Sequence, residues 1–376
     1  MDEIQILIVC GEASGDLNAA NLCREILKIN PRIKVSAVGG ALLRQTGAKI
    51  IYDIKSLSVM GFFDVLKKLP RFFALKNFLL REISQQKPKL VILVDFSGFN
   101  LRFAKAINNT TPIVYYTSPQ VWASRPGRIE TIKKYVRKMI VFFKFEEEFY
   151  RKHGVDTSYV GHPLLEIAKA SSDKKTFLTQ YNLSVNKTTA ALLPGSRKSE
   201  ITNILPVMLE SCKLIRRNFP DIQFVIAKSA QVDSDVYQRV IDKAGQDVLI
   251  VEGKTYDCLN AADFALVCSG SATLETAILG IPFAIIYKMN FLNYFLYRPQ
   301  VKLPYIGMVN IVAGEKIIPE FIQFQAKAEK IAEAALEILQ NPSRKASLQQ
   351  RLLQIKTLLG EPGASARAAG IILSLT

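Results

Sequence analysis

Short apolar runs alternate along this chain with stretches whose apolar residues recur every three or four positions. Ile4–Val9, Lys34–Val38, Leu90–Val94, Ile113–Thr117 and Met139–Phe143 read as buried strands, and the segments between them carry helical periodicity. The alternation pauses at Val160-Gly161-His162-Pro163 and at a polar stretch, Ser171-Ser172-Asp173-Lys174-Lys175. It then resumes in Ala190–Leu193, Gln223–Ala227, Val248–Val251, Phe264–Val267 and Phe283–Tyr287. Continuous apolar strands joined by helices predict parallel sheets covered by helices on both faces, so the expected fold is α/β with two similar domains. The tail over Ala326–Leu359 is helical with a break at Asn341-Pro342, and Gly360-Glu361-Pro362-Gly363 precedes a last helix, Ala364–Leu373.

Ligands of open parallel sheets sit beyond the carboxyl ends of the strands, which selects three loops. The first is Cys10-Gly11-Glu12-Ala13-Ser14-Gly15-Asp16. It lacks the G-x-G-x-x-G spacing of a dinucleotide fold, the Lys34–Val38 strand ends in Gly39-Gly40 rather than an acid, and no Gly-Lys-Ser/Thr follows Gly15. What remains is a loop of small residues at a helix N-terminus, where backbone N–H groups approach a ligand and Glu12, Ser14 and Asp16 offer polar contacts. For Asp16 a plain helix cap is the competing reading. The second loop, Pro194-Gly195-Ser196-Arg197, pairs a glycine with a guanidinium fork suited to a diphosphate, or is a solvated basic turn. The third, Ser269-Gly270-Ser271-Ala272-Thr273, opens a helix with small and hydroxylated residues; Glu275 either offsets the helix dipole or accepts hydrogen bonds from a ribose. Two such loops and one acid in the same half fit a nucleoside diphosphate.

Composition narrows the partners. Forty-nine basic against thirty-three acidic residues give a formal charge of +16, which favours polyanions. No finger, aromatic RNA-binding signature or long basic run accompanies it, so nucleic acid is not expected. Cys10, Cys23, Cys212, Cys258 and Cys268 lack paired spacing and read as reduced thiols. With no long uncharged apolar window and two acids near the start, a soluble cytoplasmic protein is expected. Asp233-Ser234-Asp235 reads as a capping cluster, and no metal or other cofactor is expected. His153 and His162 stand outside any hydrolase pattern, and His162 reads as a packed residue near a hinge.

Six motifs occur together and in order: CGEASGD, Ser118-Pro119-Gln120-Val121-Trp122-Ala123, VGHP, LLPGSR, SGSATLE and Asn310-Ile311-Val312-Ala313-Gly314. In this the chain resembles the lipid-A-disaccharide synthases over essentially its whole length. The resemblance implies an inverting glycosyltransferase of the GT-B type, with two Rossmann-like domains facing a central cleft, here residues 1–165 and 166–376, the final helices having room to return to the first domain. It implies an acylated UDP-glucosamine donor, an acylated glucosamine 1-phosphate acceptor, release of UDP, and a homodimer. Gly195, Ser196, Arg197, Ser269, Gly270, Ser271, Ala272, Thr273, Glu275 and Asn310 would hold UDP. Ser14, Gly15, Asn100 and Trp122 would lie on the acceptor side with Glu12 and Asp16. One departure concerns the base that must deprotonate the attacking hydroxyl. The sequence reads Asp95-Phe96-Ser97-Gly98-Phe99-Asn100, with glycine where the family pattern carries a second acid. The base is therefore expected to be Asp95, ahead of Glu12 and Asp16. A transferase using another lipid-linked acceptor, a UDP-sugar epimerase and a non-catalytic UDP-sugar binder are the alternatives.

Acylated substrates require contact with a bilayer. In Val59–Leu80, the residues Phe62, Phe63, Phe72 and Phe73 recur near helical spacing among Lys67, Lys68 and Arg71, with Pro70 expected to start a second short helix. A basic aromatic surface of this kind suits the anionic cytoplasmic face of an inner membrane; a core-facing helix pair is the plainer alternative. Phe291–Arg298 is a second candidate.

Overall fold

The computed structural model describes residues 4–57, 62–291, 294–295 and 303–376, with the side chains of 56 and 62–68 outside the description. The chain forms two compact units. One runs to Pro163 and resumes at Leu359; the other takes the described residues between Leu164 and Leu358.

The first unit is built on seven parallel strands: β1 (Gln5–Val9), β2 (Lys34–Gly39), β3 (Lys49–Asp53), β4 (Leu90–Val94), β5 (Ile113–Tyr116), β6 (Lys138–Val141) and β7 (Thr157–Tyr159). Their spatial order is β3-β2-β1-β4-β5-β6-β7. Central strands are apolar throughout because both faces are covered; all five residues of β4 are buried. The Ala13–Ile29 helix presents Ala19, Leu22, Cys23 and Ile26 to this core at helical spacing. The Ala364–Leu373 helix packs against it. Arg367 holds that return in place, its guanidinium donating to the carbonyls of Val160 at 2.6 Å, Glu361 at 2.6 Å and Pro362 at 2.7 Å.

The second unit holds six parallel strands: β8 (Thr189–Leu193), β9 (Gln223–Lys228), β10 (Leu249–Glu252), β11 (Phe264–Cys268), β12 (Phe283–Tyr287) and β13 (Glu320–Ile322), ordered β10-β9-β8-β11-β12-β13. Each sheet thus reverses its strand order once, beside β1 and beside β8. Those reversals are where α/β sheets open a crevice for ligands.

Pro70 does not begin a separate helix. It lies inside one helix, Phe62–Gln86. A proline inside a helix forfeits one backbone hydrogen bond. Burial of Leu75, Leu79 and Ile83 on one face of the same helix offsets that loss. Among the described residues, no helix is long and apolar enough to cross a membrane.

Candidate functional site

In the first unit, β1 pairs with β2 on one side and β4 on the other, and Val9 sits opposite Leu93. The turn Cys10–Asp16 and the turn at Asp95-Phe96 therefore leave the sheet side by side. Asp95 and Phe96 both adopt left-handed backbone conformations, φ 50° and 46°, which cost energy for residues with a side chain. The surroundings impose this. The Asn100 amide donates to the carbonyls of Asp95 at 2.9 Å, Val94 at 3.3 Å and Val9 at 3.4 Å, and the Tyr115 hydroxyl donates to Asp95 O at 2.6 Å. The Phe96 ring lies so close to Gly11 that a Cβ there would enter the ring, and it stacks on Phe99 at 5.4 Å. At Gly15 an added Cβ would stand 3.2 Å from the Cys10 Cβ and in ordinary contact with the Asp95 Cβ at 3.7 Å.

Asp95 is thus an acidic residue held in a strained turn at the end of β4. Its charge reaches two neighbours. Burial, then Asp16, then Asp95 push the Cys10 thiol far up, and burial followed by Asp95 raises the Tyr115 phenol. All five cysteines are buried and free.

Asp16 and Asn100 have other duties than those expected of them. The Asp16 carboxylate is buried and accepts from the backbone N–H groups of Gly40 at 2.6 Å, Leu42 at 3.0 Å and Leu43 at 3.4 Å. It caps the Ala41–Arg44 helix rather than its own. Asn100 is fully buried and clamps the ends of β1 and β4. Glu12 and Ser14 are exposed at the start of the Ala13–Ile29 helix, where Glu12 is the N-cap without capping through its side chain.

Trp122 is fixed by a residue the sequence did not single out. Glu146 is buried and accepts from Ser118 Oγ at 2.6 Å and Trp122 Nε1 at 3.0 Å, while the indole meets the Phe145 ring edge-on at 4.9 Å. Burial raises the Glu146 pKa from 4.5 to about 7, against the lowering effect of those two donors. A carboxyl that binds its proton more tightly when folded stabilises the fold below its unfolded pKa and loses that contribution as pH rises through the folded value. Relative to the Glu146→Gln variant, the wild type is expected to lose stability between pH 4.5 and about 7, as read by urea unfolding at a series of pH values. His162 is packed between Phe142 and Phe143, at 5.4 and 5.1 Å, and burial pulls its pKa down to about 3, which keeps it neutral.

In the second unit Leu193 of β8 sits opposite Val267 of β11, so the Pro194–Arg197 and Ser269–Ser271 loops also emerge together at the reversal. Gly195 has φ 119°, and a Cβ there would collide with the Glu200 carboxylate. That carboxylate pins the loop, accepting from Ser196 N at 2.8 Å, Arg197 N at 3.2 Å and Arg197 NH1 at 3.2 Å. Arg197 occupies the N-cap position of the Lys198–Asn218 helix, its backbone carbonyl accepting from Glu200 N and Ile201 N, and its side chain stays half exposed. Gly270 caps the Ser271–Ile278 helix, Ser271 is exposed, and Thr273 is buried with its hydroxyl donating to Gly270 O at 2.8 Å. Glu275 is partly buried; burial raises its pKa, while the Ser271 and Tyr256 hydroxyls act in the opposite direction. Tyr256, absent from the sequence-based set, is thereby brought beside the acid expected to hold a ribose.

Asn310 is the correction in this unit. Its amide donates to Ile318 O and Glu320 Oε1, both at 2.8 Å, and its oxygen accepts from Ile317 N and Ile318 N, both at 2.9 Å. A fully buried amide with every partner internal ties down the chain before β13 and has no side-chain group left for a nucleotide. Among the described residues no group of three or more His, Cys, Asp or Glu is arranged to hold a metal ion.

Residues 6–372 match the lipid-A-disaccharide synthetase family. The chain is 42% identical over 377 residues to a lipid-A-disaccharide synthase of Syntrophus aciditrophicus, covering 100% of this chain and 98% of that protein. It is 36% identical over 372 residues to that of Geobacter sulfurreducens, covering 99% and 97%. Among solved structures it resembles a UDP-GlcNAc 2-epimerase from Neisseria meningitidis bound to UDP-GlcNAc (TM-score 0.66, 13% identity, 99% and 100% of the two chains). It also resembles MurG of Acinetobacter baumannii (TM-score 0.59, 12% identity, 99% and 100%). At such identities the likeness concerns the fold, two parallel α/β sheets of the GT-B type.

Proposed function

The chain belongs to the lipid-A-disaccharide synthase family, and from that premise we propose how its two units divide the reaction. It is a glycosyltransferase that condenses UDP-2,3-diacylglucosamine with 2,3-diacylglucosamine 1-phosphate, forming the disaccharide 1-phosphate and releasing UDP.

The second unit takes the donor. Gly195, Ser196 and Arg197 receive the diphosphate with the N-terminus of the Lys198–Asn218 helix, Ser269 to Thr273 supply the facing helix start, and Glu275 takes the ribose hydroxyls. Arg197 and the two helix ends stabilise the charge that develops on the leaving diphosphate. The first unit takes the acceptor. Asp95 removes the proton of the 6-hydroxyl as that oxygen attacks, and Glu12, Ser14 and Trp122 line the acceptor side. The single observation that carries this division is the placement of the strained Asp95 turn at one strand-order reversal and of the two small-residue loops at the other. Mass analysis after incubation with both substrates is expected to show the disaccharide 1-phosphate. An isomerised donor would instead favour an epimerase, and unchanged substrates a binding protein.

The membrane reading is a proposal of the same kind. The side chains of Phe62, Phe63, Lys67 and Lys68 lie outside the described residues. Phe72 does not face lipid: its ring packs against Phe96 at 5.9 Å and Phe99 at 6.2 Å. Phe73 does point outward, 59% exposed, with Lys76 Nζ 5.4 Å from its ring centroid. In the second unit Phe291, Phe295 and Phe324 form an exposed aromatic cluster, each more than half exposed, with Phe291 4.6 Å from Phe295 and 5.9 Å from Phe324. Such surfaces and a charge of +16 suit a peripheral enzyme on an anionic cytoplasmic membrane face, and a homodimer is proposed on family grounds alone. Sedimentation with vesicles is expected to show binding that needs anionic lipid and falls in the Phe73→Ser, Lys76→Ser double variant. Equal binding by that variant would remove this helix from the membrane surface.

A further inference from the structure

Arg128 opens the Arg128–Tyr135 helix, just beyond the Ser118–Trp122 segment that follows β5. It is half-buried, yet the hydrogen-bond partner of its guanidinium among the described residues is a neutral hydroxyl, Ser97 Oγ at 3.2 Å. Half-buried guanidinium groups ordinarily meet carboxylates, because a desolvated charge without a counter-charge is costly. Here the neighbours are cations. Burial first, then the charges of Arg125 and Arg102, hold the Arg128 pKa below its ordinary range.

Ser97 is the first residue of the Ser97–Ile107 helix; the N–H groups of Phe99 and Asn100 bond to Phe96 O, and those of Ser97 and Gly98 precede the first helical bond. Next to it, Gly98 is exposed, and nothing lies within 4 Å of where its Cβ would stand. With no side chain at 98, this spot keeps room beside the positive charges of Arg128, Arg125 and Arg102. Two residues before Ser97 stands Asp95.

We propose that Arg128, with Ser97 Oγ, the N–H groups of Ser97 and Gly98 and the charges of Arg102 and Arg125, binds the anomeric phosphate of the acceptor sugar. A phosphomonoester supplies what this spot lacks: a dianion with three acceptor oxygens, able to take both N–H groups of a guanidinium edge and a hydroxyl. The two ends of one acceptor then meet two features of one turn. The phosphate rests on Arg128 and Ser97, and the 6-hydroxyl reaches Asp95. The site reads the acceptor's phosphate and sets the sugar's direction.

This rests on the assignment of the acceptor to the first unit, and the test separates the two. Rates are measured with 2,3-diacylglucosamine 1-phosphate and with the same sugar lacking the phosphate, using wild type, Arg128→Met and Arg128→Lys. Charge-assisted hydrogen bonds of this kind correspond to about 10- to 150-fold. Arg128→Met is expected to lower kcat/KM for the phosphorylated acceptor by about that factor, leave the phosphate-free acceptor nearly unchanged, and bind UDP as wild type does. Arg128→Lys keeps the charge without the fork and is expected to fall between. Equal losses on both acceptors in Arg128→Met, or a Lys variant that discriminates no better than Met, overturn the inference while leaving the transferase reading intact. A wild type that makes no disaccharide from either acceptor overturns both.

Discussion

Replacing Asp95 by Asn is expected to lower kcat by about 10²- to 10⁴-fold, the range over which a positioned general base contributes. KM for the donor and the affinity for UDP are expected to stay near their wild-type values, because the diphosphate loops belong to the other unit. Stability offers a clean control. Asn tolerates the left-handed conformation at least as well as Asp, so φ 50° at this position is no obstacle, and the hydrogen bonds from Asn100 and Tyr115 go to the backbone carbonyl rather than to the side chain. A loss of turnover with unchanged unfolding therefore reports chemistry. Near-normal turnover in that variant would move the base to Glu12, the exposed acid of the β1 turn.

The Arg197→Glu variant is expected to lose about 10²- to 10³-fold in kcat or more, the scale for removing one donor from a developing charge, with reversal of the charge adding to it. The cost to folding is small. Arg197 is 53% exposed, and its pair with Glu200 at 3.2 Å is a surface ion pair of the kind that contributes little. Glu200 also accepts from the backbone amides of Ser196 and Arg197, contacts that survive the change.

The central strands and the loops after β1, β8 and β11 were legible in the sequence, because a strand buried on both faces is apolar throughout and a tight strand-to-helix turn is rich in Gly and Ser. Of the four described edge strands, β10 was legible and the other three were not. β3, with Lys49 and Asp53 at its ends, and the three-residue strands β7 and β13 each pair on one side only, so no continuous apolar run betrays them. Pro70 misled for a related reason: local propensity predicted a break, and tertiary burial of Leu75 and Leu79 kept the helix continuous.

The candidate site was legible only as residue types placed after strands. Residue type and position after a strand pointed to Asp95, Arg197 and Glu275. Neither could separate a carboxylate or amide aimed at a ligand from one aimed at remote backbone. Asp16 finds its amides 24 to 27 positions along the chain, and Asn100 reaches a carbonyl 91 positions away. Glu146 stood in a run of three glutamates at a helix start, and only the fold brings Ser118 and Trp122 to it from 28 and 24 positions away. Asn310 was carried over from a motif, and the structure spends its amide on Ile317, Ile318 and Glu320.

The central claim, that the second unit alone holds the departing diphosphate while the first supplies the base, is tested most directly by titrating UDP calorimetrically into wild type, Asp95→Asn and Arg197→Glu side by side. The account predicts equal UDP affinity in wild type and Asp95→Asn and a loss of at least about tenfold in Arg197→Glu, as expected where a charge-assisted contact is removed. Undiminished UDP binding by Arg197→Glu, or its loss in Asp95→Asn, would contradict it.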